Sequence, residues 1–223
     1  MAPLIEELRV ARVHENLEVV RERVAAAAQR SGRSPDAVEI LAAVKYLSPA
    51  ALPALAQAGI AVVGENRAQA LEEKAIAHPG LFEWDFIGQL QSRRLRQIVP
   101  HVRRIHSVAS ESALAALERH RAGARADLSI LIEVNIAREP GKAGIDARDL
   151  ERYLEQAPVP VIGLMTMPPP AARAEDSRRW FAALRDLAAT HELAELSMGT
   201  TQDYAVAVQE GATVVRVGSA LYA

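Results

Sequence analysis

The first part of the chain has the hydrophobic spacing of a long amphipathic helix. Apolar residues recur at intervals of three or four among Glu and Arg, at Val10, Val13, Leu17, Val20 and Val24. This interval places apolar side chains along one face of a helix. Gly32 follows the last of them and Pro35 lies just beyond, and both residue types are typical of helix ends. The pattern therefore predicts an N-terminal helix that ends at Gly32.

Short apolar runs alternate with helical stretches along the rest of the chain. The runs predict strands over residues 38–44, 60–63, 84–87, 104–107, 128–134, 159–164, 196–197 and 213–217. The stretches between them predict helices over residues 49–58, 68–78, 92–99, 111–120, 148–156, 175–191 and 203–210. Strands that alternate with helices form a parallel sheet. About eight such units favour one α/β domain over residues 1–223, a TIM-like (β/α)8 barrel with an extra N-terminal helix.

A doubly wound open sheet is the alternative fold. It would apply if either of the two short runs, 104–107 or 196–197, did not form a strand. Both folds place their ligands at the carboxyl ends of the strands. The expected position of a site is therefore the same in either case.

The composition indicates a globular protein without a strong charge bias. Half of the 223 residues are hydrophobic, which is enough for one sizeable core, and the formal net charge is −2. This balance argues against a nucleic-acid-binding protein and against a protein of anionic membranes. The absence of cysteine excludes disulfides and thiolate chemistry. Glu6 and Glu7 lie where a signal peptide needs basic and apolar residues, so we expect a cytoplasmic protein.

Lys45 is the most informative residue because it closes the apolar run of residues 40–44. An apolar wall around such a lysine would favour the neutral amine, which attacks carbonyl groups to form Schiff bases. A lysine that only extends into solvent from a strand end is the alternative interpretation. Other predicted strands also end in polar residues or glycine, namely at Gly64-Glu65-Asn66, Gly88-Gln89, His106-Ser107, Asn135, Met165-Thr166, Ser197 to Thr201 and Arg216 to Ser219.

The last two strand ends have the chemistry of a phosphate site. Residues 197–201 and the pair Gly218-Ser219 supply glycines, hydroxyl groups and backbone N–H groups. Ordinary helix caps built from the same residues are the alternative. Arg216 should point into the same cavity, unless it forms a structural ion pair with Glu65 or Glu133. An imine-forming lysine, a phosphate site and an arginine for the ring nitrogen together describe a pyridoxal phosphate pocket.

The sequence resembles the pyridoxal phosphate homeostasis protein family, whose single domain resembles the N-terminal barrel of alanine racemase. The resemblance covers nearly the whole chain, through Ala43-Val44-Lys45, Gly64-Glu65-Asn66, residues 86–92, Ile105-His106-Ser107-Val108, Val134-Asn135, Gly163-Leu164-Met165-Thr166, Leu196-Ser197-Met198-Gly199 and residues 210–218. It implies that Lys45 carries pyridoxal 5'-phosphate (PLP) as an internal aldimine, with Asn66 beside it. It also implies that Arg216 faces the pyridine nitrogen, and that the phosphate is held by Ser197, Thr201, Gly218 and Ser219.

At several positions the chain differs from the usual pattern of this family. Leu47 occupies the place of a second lysine that members often carry, so we expect no secondary attachment there. Thr200 and Thr201 replace a Met-Ser pair and keep the hydroxyl group at the second position. Gln89 replaces a common histidine. Lys142 matches a lysine that the family often keeps near the cavity mouth, and we interpret it as a solvated loop residue.

The resemblance implies a carrier of PLP more than an enzyme. Related racemases add a C-terminal β domain and take a catalytic tyrosine from a neighbouring subunit, whereas this chain ends at Ala223, soon after its last predicted strand. A lone lysine exchanges protons on two faces of a substrate poorly. We therefore expect an intracellular PLP homeostasis protein without catalytic residues, a monomer with PLP-dependent apoenzymes as candidate partners. A small PLP-dependent racemase is the alternative, and a hydrolase that pairs Glu65 with Glu133 is a more distant one.

Two further patterns have ordinary interpretations. An arginine cluster could favour nucleic acid, but without stacking aromatic residues it indicates a solvated helix face, at Arg93, Arg94, Arg96, Arg103 and Arg104. None of the six histidines has the spacing of a zinc helix, so we predict no metal site. We expect His106 to pack beside a cofactor or to form a hydrogen bond with a neighbour.

Overall fold

The computed structural model describes residues 4–222, and these form a closed barrel of parallel strands. The strands are β1 Glu39–Ala43, β2 Val62–Glu65, β3 Glu83–Phe86, β4 Arg104–Val108, β5 Ser129–Glu133, β6 Val161–Met165, β7 Glu195–Thr200 and β8 Val214–Val217. Each strand pairs with the next one along the chain, and β8 pairs with β1 to close the barrel. The predicted (β/α)8 fold is therefore confirmed, and the open sheet is excluded.

A helix precedes the first strand, helices connect successive strands, and a short helix follows the last strand. They are α1 Val10–Arg30, α2 Leu52–Gln57, α3 Ala68–Ala77, α4 Leu95–Ile98, α5 Glu111–His120, α6 Leu150–Gln156, α7 Arg178–Thr190, α8 Tyr204–Gln209 and α9 Ser219–Tyr222. The predicted helix over residues 92–99 is a 3-10 turn, Ser92–Arg94, followed by the single α-helical turn of α4. Pro100 explains this short length, because a proline has no backbone N–H group with which to continue the helical hydrogen bonds.

The N-terminal helix α1 is confirmed and covers the barrel where its two ends meet. Four of its five periodic valine and leucine residues are buried, and it ends shortly before Gly32, which has a φ of 69°. The helix contacts α2, α8 and α9. These helices follow β1, β7 and β8, so α1 stabilises the part of the barrel that contains the closing pair of strands.

Both short strand predictions are confirmed, and β7 is longer than its apolar run. It extends over Glu195–Thr200, which adds three residues after the predicted pair 196–197 and one before it. The second strand is shifted from the predicted 60–63 to Val62–Glu65. The strand can end in the charged Glu65 because the side chain of that residue has a buried partner, described below.

Gly88 leaves no room for a side chain next to β2. A Cβ at this position would lie 1.9 Å from the carbonyl oxygen of Asn66, which is a backbone atom and cannot rotate away. We expect Gly88→Ala to reduce the free energy of unfolding in urea by about 1–3 kcal/mol through overpacking. Gly123→Ala is the control, since a Cβ there has no neighbour within 4 Å. Equal stability of the two variants would contradict the predicted contact.

Candidate functional site

The carboxyl ends of the strands surround a cavity of about 550 Å³. Six of the seven site residues predicted from the sequence line it, namely Lys45, Asn66, Thr201, Arg216, Gly218 and Ser219. The pairing of β1 with β8 places the strand that leads to Lys45 beside the strand that leads to Gly218 and Ser219, although the two strands are far apart in the sequence. The structure thus brings the predicted amine, the arginine and the glycine-containing turns to one cavity.

Lys45 lies two residues beyond β1, where it lines the cavity with an exposed side chain. Its ammonium nitrogen is 4.8 Å from the centre of the Tyr46 ring, which is a cation–π contact. The sequence predicts an apolar wall around this lysine, but the structure leaves its amine open to solvent. The amine is therefore accessible to a molecule that enters the cavity.

A second lysine, Lys74, holds the segments that carry Lys45 and Asn66. Lys74 lies on α3 with 2% of its surface exposed, and it forms an ion pair with the fully buried Glu65. It also donates a hydrogen bond to the carbonyl oxygen of Val44 at 2.8 Å. The other oxygen of Glu65 accepts from the backbone N–H of Asn66 at 2.7 Å. One buried pair therefore fixes the backbone beside both predicted ligand residues.

The sequence offers Arg216 or a nearby amide as the partner of Glu65; the first is wrong, and the second is confirmed by the backbone amides of Asn66 and Arg67. The carboxylate of Glu65 bonds with Lys74 and with two backbone N–H groups, and it does not line the cavity. This arrangement also removes Glu65 from the paired-carboxylate hydrolase hypothesis. Sequence reasoning missed Lys74, although its spacing from Leu71 places it on the buried face of α3. A lysine on the apolar face of a predicted helix indicates a buried ion pair, and this pattern could have identified Lys74.

Arg216 is a buried, rigidly held cation at the cavity. Only 6% of its surface is exposed. Its guanidinium donates to the carbonyl oxygens of Ser197 at 2.8 Å and Thr166 at 3.0 Å, and to Ser197 Oγ at 2.5 Å. Burial lowers the pKa of Arg216 to about 10, against the opposing charge of Glu133. The side chain therefore stays charged at neutral pH and keeps one orientation.

Ser197 differs from the other predicted residues because it is fully buried and does not line the cavity. Its hydroxyl lies 2.8 Å from His106 Nδ1, and His106 Nε2 lies 3.1 Å from Asp85 Oδ2. The same hydroxyl oxygen accepts a hydrogen bond from the guanidinium of Arg216. Ser197 therefore orients Arg216 from beneath the cavity. The hydrogen bond expected for His106 is confirmed.

The polar chain beneath the cavity continues through the barrel. Arg103 Nε donates to Asp85 at 2.9 Å, and its terminal nitrogen donates to Glu39 at 2.6 Å. Burial alone would raise the pKa of Asp85, but the hydrogen bonds and charges of His106 and Arg103 outweigh it and lower that pKa. The chain thus links Arg216 to Glu39, the first residue of β1. It ties the cavity to the opposite end of the barrel.

Two turns form the part of the cavity that follows β7 and β8. The backbone N–H of Gly218 donates to Thr201 Oγ1 at 3.2 Å, which joins the two turns. Gly199 has a φ of 90°, a conformation that favours glycine, and a Cβ there would lie 2.9 Å from the Cα of Tyr204. The bent backbone at Gly199 therefore presents Thr201 next to Gly218 and Ser219.

Glu133, the last residue of β5, supplies a carboxylate that lines the cavity although only 7% of the residue is exposed. Within residues 4–222, this carboxylate has no hydrogen-bond or ion-pair partner. Burial raises the pKa of Glu133, and the charges of Arg216 and Lys142 oppose this shift only in part. The interpretation of Arg216 as the ion-pair partner of Glu133 is therefore wrong.

Comparison with known proteins identifies the family of the chain. A family model of the alanine racemase N-terminal domain matches residues 10–223. The pyridoxal phosphate homeostasis protein of Aquifex aeolicus is 35% identical over 219 residues, which cover 93% of this chain and 96% of that protein. This chain belongs to the pyridoxal phosphate homeostasis protein family. The resemblance noted from the sequence motifs is therefore confirmed.

Solved structures of similar proteins have the same barrel. PipY of Synechococcus elongatus, with PLP bound, is 33% identical with a TM-score of 0.76, over 92% of this chain and all of that chain. Alanine racemase of Bartonella henselae, with covalently bound PLP, is 15% identical with a TM-score of 0.70. That alignment covers all of this chain and 61% of the racemase. The second likeness shows the fold alone.

The positions where this family member departs from the common pattern have clear structural roles. Leu47 is fully buried, and it forms a bridge with Ile5, so an apolar contact replaces the second lysine. Lys142 forms an ion pair with Glu139 in the loop after β5. It is part-buried instead of fully solvated. Gln89 lines the cavity.

A metal cluster, an apolar spanning helix and a basic helix face are the features that other function classes would need. Among residues 4–222, no cluster of three His, Asp or Glu side chains could hold a metal ion. No helix in this part of the chain is long and apolar enough to cross a membrane. Arg103 and Arg104 form ion pairs with Glu39 at 2.6 and 3.0 Å, and Arg104 begins β4. Assigning these two arginines to a solvated helix face is therefore wrong.

Lys74→Met leaves the buried carboxylate of Glu65 without its cation. Removal of one partner from a buried pair costs about 3–5 kcal/mol, so we expect a loss of this size in the free energy of unfolding in urea. Lys142→Met is the matched control, because its pair is partly exposed and is worth less than about 1 kcal/mol. If both variants lose the same small amount, Lys74 does not hold the site as described.

Glu133→Gln is expected to stabilise the protein at neutral pH. The raised pKa of Glu133 means that ionisation costs more in the folded than in the unfolded state, so this group destabilises the fold once pH exceeds the folded pKa. The gain in the variant should shrink as pH falls and vanish below about 4.3, the ordinary glutamate pKa. Urea unfolding across this pH range measures it, with Glu139→Gln as control. A gain that does not change with pH would contradict the prediction.

Proposed function

We propose that this protein binds pyridoxal 5'-phosphate and acts in intracellular PLP homeostasis, with Lys45 as the attachment residue. The observation that carries the proposal is the meeting of an exposed lysine amine, a buried charged arginine and two glycine-hydroxyl turns at one cavity. The homeostasis name of the Aquifex relative and the PLP-bound structure of PipY support it.

The residues at the cavity fit the parts of this cofactor. The amine of Lys45 forms no ion pair in the described part of the chain, so it can form an imine with the PLP aldehyde. Thr201, Gly218 and Ser219 offer hydroxyl and backbone donors to the phosphate. The buried Oδ1 of Asn66 has no partner among residues 4–222, and a donor from the occupant would satisfy it.

Arg216 determines how the ring would behave. Its terminal nitrogens are held by Ser197 and Thr166, so the side chain is positioned before a ligand arrives. A permanently charged donor that faces the pyridine nitrogen keeps this nitrogen unprotonated. The bound cofactor would then supply an aldehyde carbon and only a weak electron sink. A weak sink supports a carrier more than a catalyst, and we assign Ser197 to the support of Arg216.

Proton exchange on two faces of a substrate needs a second group opposite Lys45. Tyr46 lines the cavity but lies beside Lys45. Tyr204 is buried outside the cavity lining, and Tyr222 donates to the carbonyl oxygen of Ala43 at 3.1 Å. We therefore propose that the protein has no strong catalytic activity. Racemisation of alanine that depends on Lys45 would instead establish the alternative, a small PLP-dependent amino-acid racemase.

Lys45→Ala tests the proposal directly. The wild-type protein mixed with PLP should develop the visible absorption band of an imine, and borohydride should convert it to a stable adduct that peptide mass spectrometry locates on Lys45. Lys45→Ala should show neither the band nor the adduct. Lys142→Ala keeps the cavity lysine and should behave as wild type. An adduct on another lysine, or no band in the wild type, would contradict the proposal.

A further inference from the structure

Glu133 is a buried carboxylate that the chain itself does not neutralise. It forms no hydrogen bond or ion pair among residues 4–222, yet 93% of its surface is covered, since only 7% is exposed. Its oxygens are not among the fully enclosed ones, so the small exposed part of this carboxylate is open to the cavity. Buried charges in native proteins are normally paired, because the loss of most of the surrounding water without a gain of donors is costly. The carboxylate lines the cavity, so a group that enters the cavity can reach it.

The cations around Glu133 are committed elsewhere. Arg216 acts on it only through its charge, because the guanidinium donates to Ser197 and Thr166. Lys142 also acts at a distance and is paired with Glu139. Lys45, two residues beyond β1, is the remaining cation that lines the cavity. No cation among residues 4–222 therefore pairs with Glu133, and a cationic group of a ligand could do so.

The strand order places Glu133 across the cavity from the predicted attachment residue. In a closed barrel of eight strands, β5 lies opposite β1, and β8 is next to β1. Glu133 on β5 therefore faces the side that carries Lys45 and the turn at Gly218. The phosphate donors and the carboxylate lie on opposite sides of about 550 Å³ of open space. The side of the cavity that carries Glu133 therefore has room for a ligand group other than the phosphate.

We propose that Glu133 forms a subsite for the ammonium group of a primary amine. An ammonium group supplies a positive charge and three N–H donors, which a buried carboxylate without partners can accept. A neutral alcohol would leave the carboxylate charge uncompensated. The inference goes beyond PLP binding and does not depend on it, because the subsite is formed by the chain alone. It names primary amines as the class of molecule that this cavity admits beside Lys45.

The test measures amine binding by the full-length protein without added cofactor. The probe is n-butylammonium chloride, with tetramethylammonium chloride as a salt control that has charge but no N–H donor. The carboxyl carbon of Glu133, observed by NMR in carbon-13-labelled protein, should shift saturably with the probe. Its pKa should fall by a unit or more at saturation, which is a tenfold change in proton affinity. Binding should strengthen as pH rises through the pKa of Glu133.

Glu133→Gln should weaken binding of n-butylammonium at least tenfold and abolish its pH dependence, whereas Glu139→Gln should leave both unchanged. Equal binding by Glu133→Gln, or equal saturation by tetramethylammonium, would overturn the proposal. An increase in the Glu133 pKa in Lys142→Gln, with no effect of the amine on wild type, would show that Lys142 is the partner and would also overturn it. If the protein failed to bind PLP, the measurement of amine binding at Glu133 would still stand, because it is made without cofactor.

Discussion

Pairing between β1 and β8 is the contact on which the rest of the structure depends. Its register joins Leu41 to Arg216 and Ala42 to Val217, so the strand that leads to Lys45 lies against the strand that carries the arginine. Helix α1 packs over the outside of this region. Without closure, the lysine and the glycine turn after β8 would end on opposite edges of an open sheet. The cavity exists because the barrel closes.

Polar groups, not apolar packing alone, fix the position of the cavity residues. The Lys74–Glu65 pair holds the backbone next to Lys45 and Asn66 from the side of α3. The chain from Arg216 through Ser197 and onward to Glu39 holds the arginine from beneath. The first network is buried and the second is buried from Arg216 to Asp85, so loss of one member there leaves a charged neighbour without a partner. This explains how a small barrel can keep a charged guanidinium rigid.

The fold was predictable from the sequence because each strand and helix is indicated by the residue pattern of its own segment. Apolar runs and helical periodicity each describe one element, and their alternation leads to a parallel barrel. The lining of the cavity by Lys45, Arg216 and Gly218 follows from the same rule, since each lies at or near a strand end. The partners of these residues could not be read in this way. Pairing of Lys74 with Glu65 depends on the direction of side chains on different elements.

At the site itself, Ser197 and Glu133 also show that the sequence does not reveal what a side chain contacts. Both lie on strands that end at the cavity, but the hydroxyl of Ser197 points below the cavity to His106, whereas the carboxylate of Glu133 lines it. Ser197 lies three residues before the end of β7, whereas Glu133 is the last residue of β5, so the two side chains lie at different depths in the barrel. The apolar pattern of a strand gives its approximate position but not this depth.

A crystal structure of the protein grown with PLP is the most direct test of the central claim. The account predicts electron density that is continuous from the nitrogen of Lys45 to the cofactor, with the phosphate at Thr201, Gly218 and Ser219 and the ring nitrogen at Arg216. Cofactor bound elsewhere, or bound in this cavity with its phosphate on Arg216 and no bond to Lys45, would contradict it.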